Sequence, residues 1–148
     1  MSTDVQVETV IRQSRELVAG YATDWRNDLT WIGALSEVRQ VTDGPFGVGT
    51  QVERVASFLG KRIEYVNEIV ELVPSERLVM RSVKAPFPMT VIYEFEDADG
   101  GTRMRIRTHG DASGFYKLAA PLMSGTVKRG IASDLARLKA TLEAGAGG

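Results

Sequence analysis

The 148-residue chain contains no cysteine, a single histidine and a formal net charge of only −1. Without cysteine there are no disulfides, thiolate metal ligands or cysteine nucleophiles, which fits a reducing interior. A near-balanced charge offers no concentrated positive field to a polyanion, so nucleic acid is not an expected partner. No apolar run approaches the roughly 20 residues that a bilayer-spanning helix needs. The opening MSTDVQVETV has neither a basic start nor an apolar core. No export signal is read there, and a soluble cytoplasmic protein is expected. No His/Asp/Glu cluster has ligand spacing, so neither a metal nor a cofactor is expected. A GxSxG elbow is missing, and no serine has a histidine base in evident reach. GPFGVGT lacks the lysine and following helix of a phosphate-binding loop.

What is present reads as one domain over residues 1–148, with 43% hydrophobic and 25% charged residues typical of a globular chain. The last residues, 144–148, are expected to fray. Val5, Val7, Thr9 and Ile11 alternate as a first strand. Ser14 can cap a helix over RELVAGYATD, with Asn27 and Asp28 breaking it before a second short helix carrying Trp31, Ile32 and Leu35. Six strand-like segments follow: SEVRQVT, TQVERVASF, KRIEYVNEIVELV, ERLVMRSV, MTVIYEFED and TRMRIRTHG. Gly60 and the Asp99-Gly100 pair mark tight hairpins, and the prolines of APFP mark a loop or an edge. From Tyr116 to Glu143, Leu118, Leu122, Val127, Ile131, Leu135, Leu138 and Leu142 form the apolar stripe of a long helix. Pro121 predicts a kink or a late start. Gly125 and Gly130 either allow close packing or leave volume for a guest. A long helix after an antiparallel meander buries its stripe by lying across the sheet, giving an α+β domain able to enclose a hollow.

That order of elements, with YATDWRNDLTWI, GPFGVGT, NEIVELVPSERLV, YEFEDADGGTRMR and GIASDLARLKATLE in place, resembles the START-related superfamily of polyketide cyclase/dehydrase and lipid-transport proteins. Its helix-grip fold is shared with the birch-pollen allergens. The resemblance implies a curved antiparallel sheet of about seven strands wrapped on a long C-terminal helix, with two short helices after the first strand. It also implies an apolar cavity and a small hydrophobic ligand. No catalytic motif is carried over, because members include carriers, cyclases and co-chaperone or partner-binding modules.

Strand parity assigns side chains to the inner face. Arg54 and Phe58 fall inward on one strand, and Tyr65 and Asn67 on the next. Met80 and Ser82, then Met89 and Tyr93, then Met104 follow on the later strands. Met123 and Val127 face them from the helix. Methionines line adaptable sites but also fill core gaps. Arg54, Asn67, Ser82 and Tyr93 are polar groups on an apolar wall, able to orient a ligand. Arg54 has the alternative of pairing with an internal carboxylate such as Glu71. Trp25 and Trp31 lie where a mouth would be covered, with Trp31 the preferred gate. Tyr93 and Arg54 are the candidate catalytic groups. Parity puts His109 outside unless a bulge near Gly110 reverses it, and Arg103, Arg105 and Arg107 make a solvated face opposite Glu94 and Glu96. The expected function is binding or transport of a lipid, isoprenoid or polyketide-like molecule. Aromatase/cyclase chemistry in the same cavity and a partner-binding role stay open, and the sequence is compatible with a monomer or a dimer.

Overall fold

The computed structural model describes residues 3–116 and 120–146. Strand β1 (Thr3–Ile11) turns Val5 and Ile11 inward. Ser14, in extended conformation, accepts from the Leu17 amide at 3.2 Å and starts α1 (Arg15–Ala22). That helix stops before the expected break. Thr23 Oγ1 bonds back to the Ala19 carbonyl, and Asp24 caps a 3₁₀ turn, Trp25–Asn27. Asp28 then opens α2 (Asp28–Trp31) instead of ending a helix. Ile32 turns extended, and Leu35 begins β2 (Leu35–Gln40) beside Ala56, so neither belongs to the second helix. The Gly33 amide donates to Asp134 Oδ1 at 3.0 Å, and a Cβ at Gly33 would run into Arg137. Docking on the terminal helix therefore overrides local helix propensity.

Strands β3 (Gln51–Phe58), β4 (Lys61–Val73), β5 (Arg77–Lys84), β6 (Met89–Ala98) and β7 (Gly101–Gly110) complete one antiparallel sheet. Its order is β1-β7-β6-β5-β4-β3-β2, a meander with the first strand added to the far edge. Leu59 (φ 52°) and Gly60 (φ 79°) both sit at positive φ, matching the twist a two-residue hairpin demands. Register shifts at Val66/Asn67 and Ile69/Glu71 in β4 bend the sheet. Gly110 lies so close to the Pro88 carbonyl that a Cβ there has no room. On the convex face Arg103 pairs with Glu8 (3.0 Å) and Glu96 (3.1 Å), and Arg107 with Asp4 (2.8 Å). The solvated arginine row is thus balanced by β1 as well as by the hairpin partner.

Helix α3 (Ser113–Tyr116) precedes α4 (Ala120–Thr141), whose first turn holds Pro121 where no intrahelical donor is required. Leu135, Leu138 and Leu142 are fully buried, whereas Leu122 is 64% exposed and Met123 takes its place inside. The stripe runs Met123, Val127, Ile131, Leu135, Leu138, Leu142, in steps of four or three. Leu122 lies five residues before Val127 and so falls off that face. Leu118 and residues 147–148 of the tail lie outside the described residues. The chain leaves the helix through Gly145 at φ 104°, a left-handed turn that favours glycine. No helix among the described residues is long and apolar enough to cross a membrane.

Candidate functional site

The core is packed at one end and hollow at the other. Around the second half of α4, Ile11, Val18, Leu78, Phe95, Met104, Leu135 and Leu138 interlock with almost no exposure. Around its first half, the sheet and helix border an open-mouthed cavity of about 250 Å³. The α4 residues lining it are Met123, Val127, Gly130, Ile131 and Asp134. No atom lies within 4 Å of a Cβ built on Gly130. That glycine, at an exposed position bordering the hollow, does not serve close packing among the described residues.

The residues Trp31, Arg54, Phe58, Asn67, Met80, Met89, Tyr93, Met123 and Val127 all line this hollow. Two others do not. Ser82 Oγ accepts from the Met89 amide at 3.0 Å and ties the ends of β5 and β6 together. Met104 is fully buried in the packed half, because its strand position lies past the end of the cavity.

Trp31 is not a gate. It is 1% exposed and tilts against Tyr93 with ring centroids 5.9 Å apart, forming part of the inner wall. Trp25 lies away from the hollow and donates to Gln40 Oε1 at 3.2 Å. The loop end is rimmed instead by Phe58, Phe87 and Tyr116, with Phe58 and Tyr116 edge to face at 5.1 Å. Phe115 packs on Tyr116, and Lys61 Nζ sits 4.4 Å over the Phe115 ring. Phe87 and Tyr116 escape strand parity because they stand in a loop and a one-turn helix.

The deep end is polar. Arg54 Nε donates to Asp28 Oδ2 at 2.8 Å, and both side chains are nearly inaccessible. The alternative of an internal carboxylate partner is thus met by Asp28, whereas Glu71, the acid offered as its example, pairs with Arg77. Burial pushes the Asp28 carboxyl up, with Arg54 opposing. Burial is the strongest pull on the Arg54 guanidinium and lowers it, but Asp28, Tyr65 and Tyr93 together hold it above its ordinary value, and Arg54 stays charged. Burial raises both Tyr65 and Tyr93; Asp28 adds to the rise at Tyr93, and Arg54 opposes it at both. Asp134 lines the same wall, its carboxyl pushed up by burial and bound by the Gly33 amide and Arg137 Nη2 (2.9 Å). Trp31 Nε1 and Asn67 Oδ1 are buried without hydrogen-bond partners among the described residues. Buried polar groups are normally satisfied, so each is an opening for a guest.

His109 keeps its outward parity. The β1–β7 and β6–β7 registers run unbroken to Gly110, with Asp4 and Thr90 opposite it. Hydrogen bonds from Arg107 hold the Asp4 carboxyl below the usual range, and His109 adds a smaller pull. The imidazole thus shares the outer face with Asp4, although His109 also touches the rim of the hollow.

A curved sheet gripping a terminal helix around an apolar cavity defines the helix-grip class of domain. A family model described as polyketide cyclase / dehydrase and lipid transport matches residues 2–143, and the chain belongs to that family. Among solved structures, it is similar to the Zhui aromatase/cyclase of Streptomyces sp. R1128, at 18% identity and a TM-score of 0.78, covering 100% of this chain and 99% of that one. Ara h 8.0201 gives 15% identity, a TM-score of 0.72 and coverage of 97% and 99%. TTHA0849 from Thermus thermophilus gives 21%, 0.73, and coverage of 93% and 98%. At such identities the likeness establishes the fold. No curated protein sequence matches the chain.

Proposed function

We propose that the protein binds a small hydrophobic molecule in the cavity under α4. The observation that carries this is a hollow of about 250 Å³ with largely apolar walls and a few converging polar groups, of which Trp31 Nε1 and Asn67 Oδ1 lack hydrogen-bond partners among the described residues. Such a composition suits a guest that is held by burial and oriented by a small number of hydrogen bonds. An apolar cavity of about 150 Å³ accepts benzene, so this one suits a one- or two-ring body, or the end of a chain that continues through the rim. Binding of 2-naphthol, followed through the fluorescence of Trp31, is expected to saturate and to raise the melting temperature. A linear, non-saturating response with no thermal shift would remove the reading.

A second reading, aromatase/cyclase chemistry, is favoured by one local feature: Arg54 and the Tyr93 phenol meet on the same deep wall. There the cavity would fold a flexible poly-β-ketone, and Tyr93 would donate to a carbonyl oxygen as it gains charge. Tyr93→Phe separates the two readings, since it would stop turnover and leave binding in place.

A further inference from the structure

We infer that Asp28, by neutralising Arg54, makes the deep end of the cavity select an uncharged ligand head that both donates and accepts hydrogen bonds, and reject carboxylates of the same shape. This rests on the reading of the cavity as a ligand site and adds the chemistry of what enters it.

The argument begins with charge. The guanidinium of Arg54 would by itself be an anchor for an acid, because a buried arginine pairs readily with a carboxylate. Asp28 already occupies that role at 2.8 Å, from the one-turn helix α2 that packs against α4 and β2. On the helix side of the deep end, Asp134 is likewise balanced by Arg137. The deep end therefore carries no net charge. A carboxylate pushed into it would be an uncompensated ion beside two others, in a space that holds charge poorly.

The unsatisfied groups point the same way. The Trp31 indole N–H is donor only and needs an acceptor. The Asn67 side-chain oxygen, an acceptor, needs a donor. The Tyr65 and Tyr93 hydroxyls, raised by burial, stay protonated and can play either part. A phenol, an alcohol or an enol satisfies this mixture. A carboxylate, which only accepts, leaves the Asn67 oxygen unmet.

The test compares 2-naphthol with 2-naphthoate, probes that share one ring system and differ in the charge of the head, at neutral pH on the full chain. The wild-type protein is expected to bind the naphthol tighter by about tenfold or more. Asp28→Asn frees the guanidinium, and the order is expected to invert in favour of naphthoate. The double variant Asp28→Asn/Arg54→Gln removes both charges and is expected to restore the preference for naphthol. Should Asp28→Asn fold poorly, the wild-type ratio and the double variant still decide. Equal or tighter naphthoate binding by the wild type overturns the selection proposed, while leaving the cavity as a ligand site. An Asp28→Asn protein that keeps the wild-type order overturns the role given to Asp28. Failure of both probes to bind the wild type overturns the cavity reading itself.

Discussion

At the scale of single residues, the buried Asp28–Arg54 pair contributes to both stability and site chemistry. Two ions taken out of water are costly, and their attraction compensates only while both are present. Asp28→Ala is therefore expected to lower stability by about 3–5 kcal/mol, because it strands a buried guanidinium. The volume-matched Asp28→Leu/Arg54→Met double change is expected to recover most of that loss. Urea midpoints of the three proteins check this. A single variant as stable as the wild type would mean that water reaches Arg54. Half of this pair was legible beforehand. Alternation on β3 places Arg54 inward, and its need for a partner follows from burial. The partner itself was hidden, because Asp28 stands in a one-turn helix where neither strand parity nor helical periodicity applies. Glu71, the acid that parity made thinkable, turns outward past the bulge at Ile69 and meets Arg77.

Among the elements, α4 shows how one helix can anchor a fold and leave room in it. Its C-terminal half presents leucines, and its N-terminal half presents Met123, Val127, Gly130 and Ile131 to the hollow. Filling the glycine position tests that division. Gly130→Ala is expected to add up to about 1 kcal/mol of stability, from helix propensity alone, since nothing obstructs its methyl group. Gly130→Phe is expected to keep the fold and abolish 2-naphthol binding by occupying the cavity. Chemical denaturation and the fluorescence titration read the two effects separately. A bound ligand persisting in Gly130→Phe would place the site elsewhere. The helix itself, the seven strands and their hairpins were readable from periodicity and turn residues. The error at Leu122 came from reading the apolar residue nearest the expected position; geometry required Met123, one residue later. The aromatic rim was not readable, because Phe87 and Tyr116 meet only after three separate segments converge.

For the molecule as a whole, the buried phenols set its response to alkali. Tyr65 and Tyr93 are raised by burial, and burial pushes Tyr116 at the rim up to about 12. In an unfolded chain a tyrosine ionises near pH 10. The folded protein thus holds protons that the unfolded one releases. Their contribution to stability is complete below about pH 10, and it is lost as pH climbs through about 12 for Tyr116. Ultraviolet titration is expected to show tyrosinate forming late, with the final rise coinciding with unfolding by circular dichroism. A titration finished near pH 10 while the fold persists would contradict the burial of these rings.

The unequal core has a mechanical meaning. A rod clamped by leucines at its tail and bordering a hollow along its leading half could pivot about the clamped end. An angular shift at Leu135 would be larger at Met123, about three turns further along the rod and on the cavity wall. A guest could then be admitted by a slight lift of the helix's leading end, with the sheet staying still and no dedicated lid required.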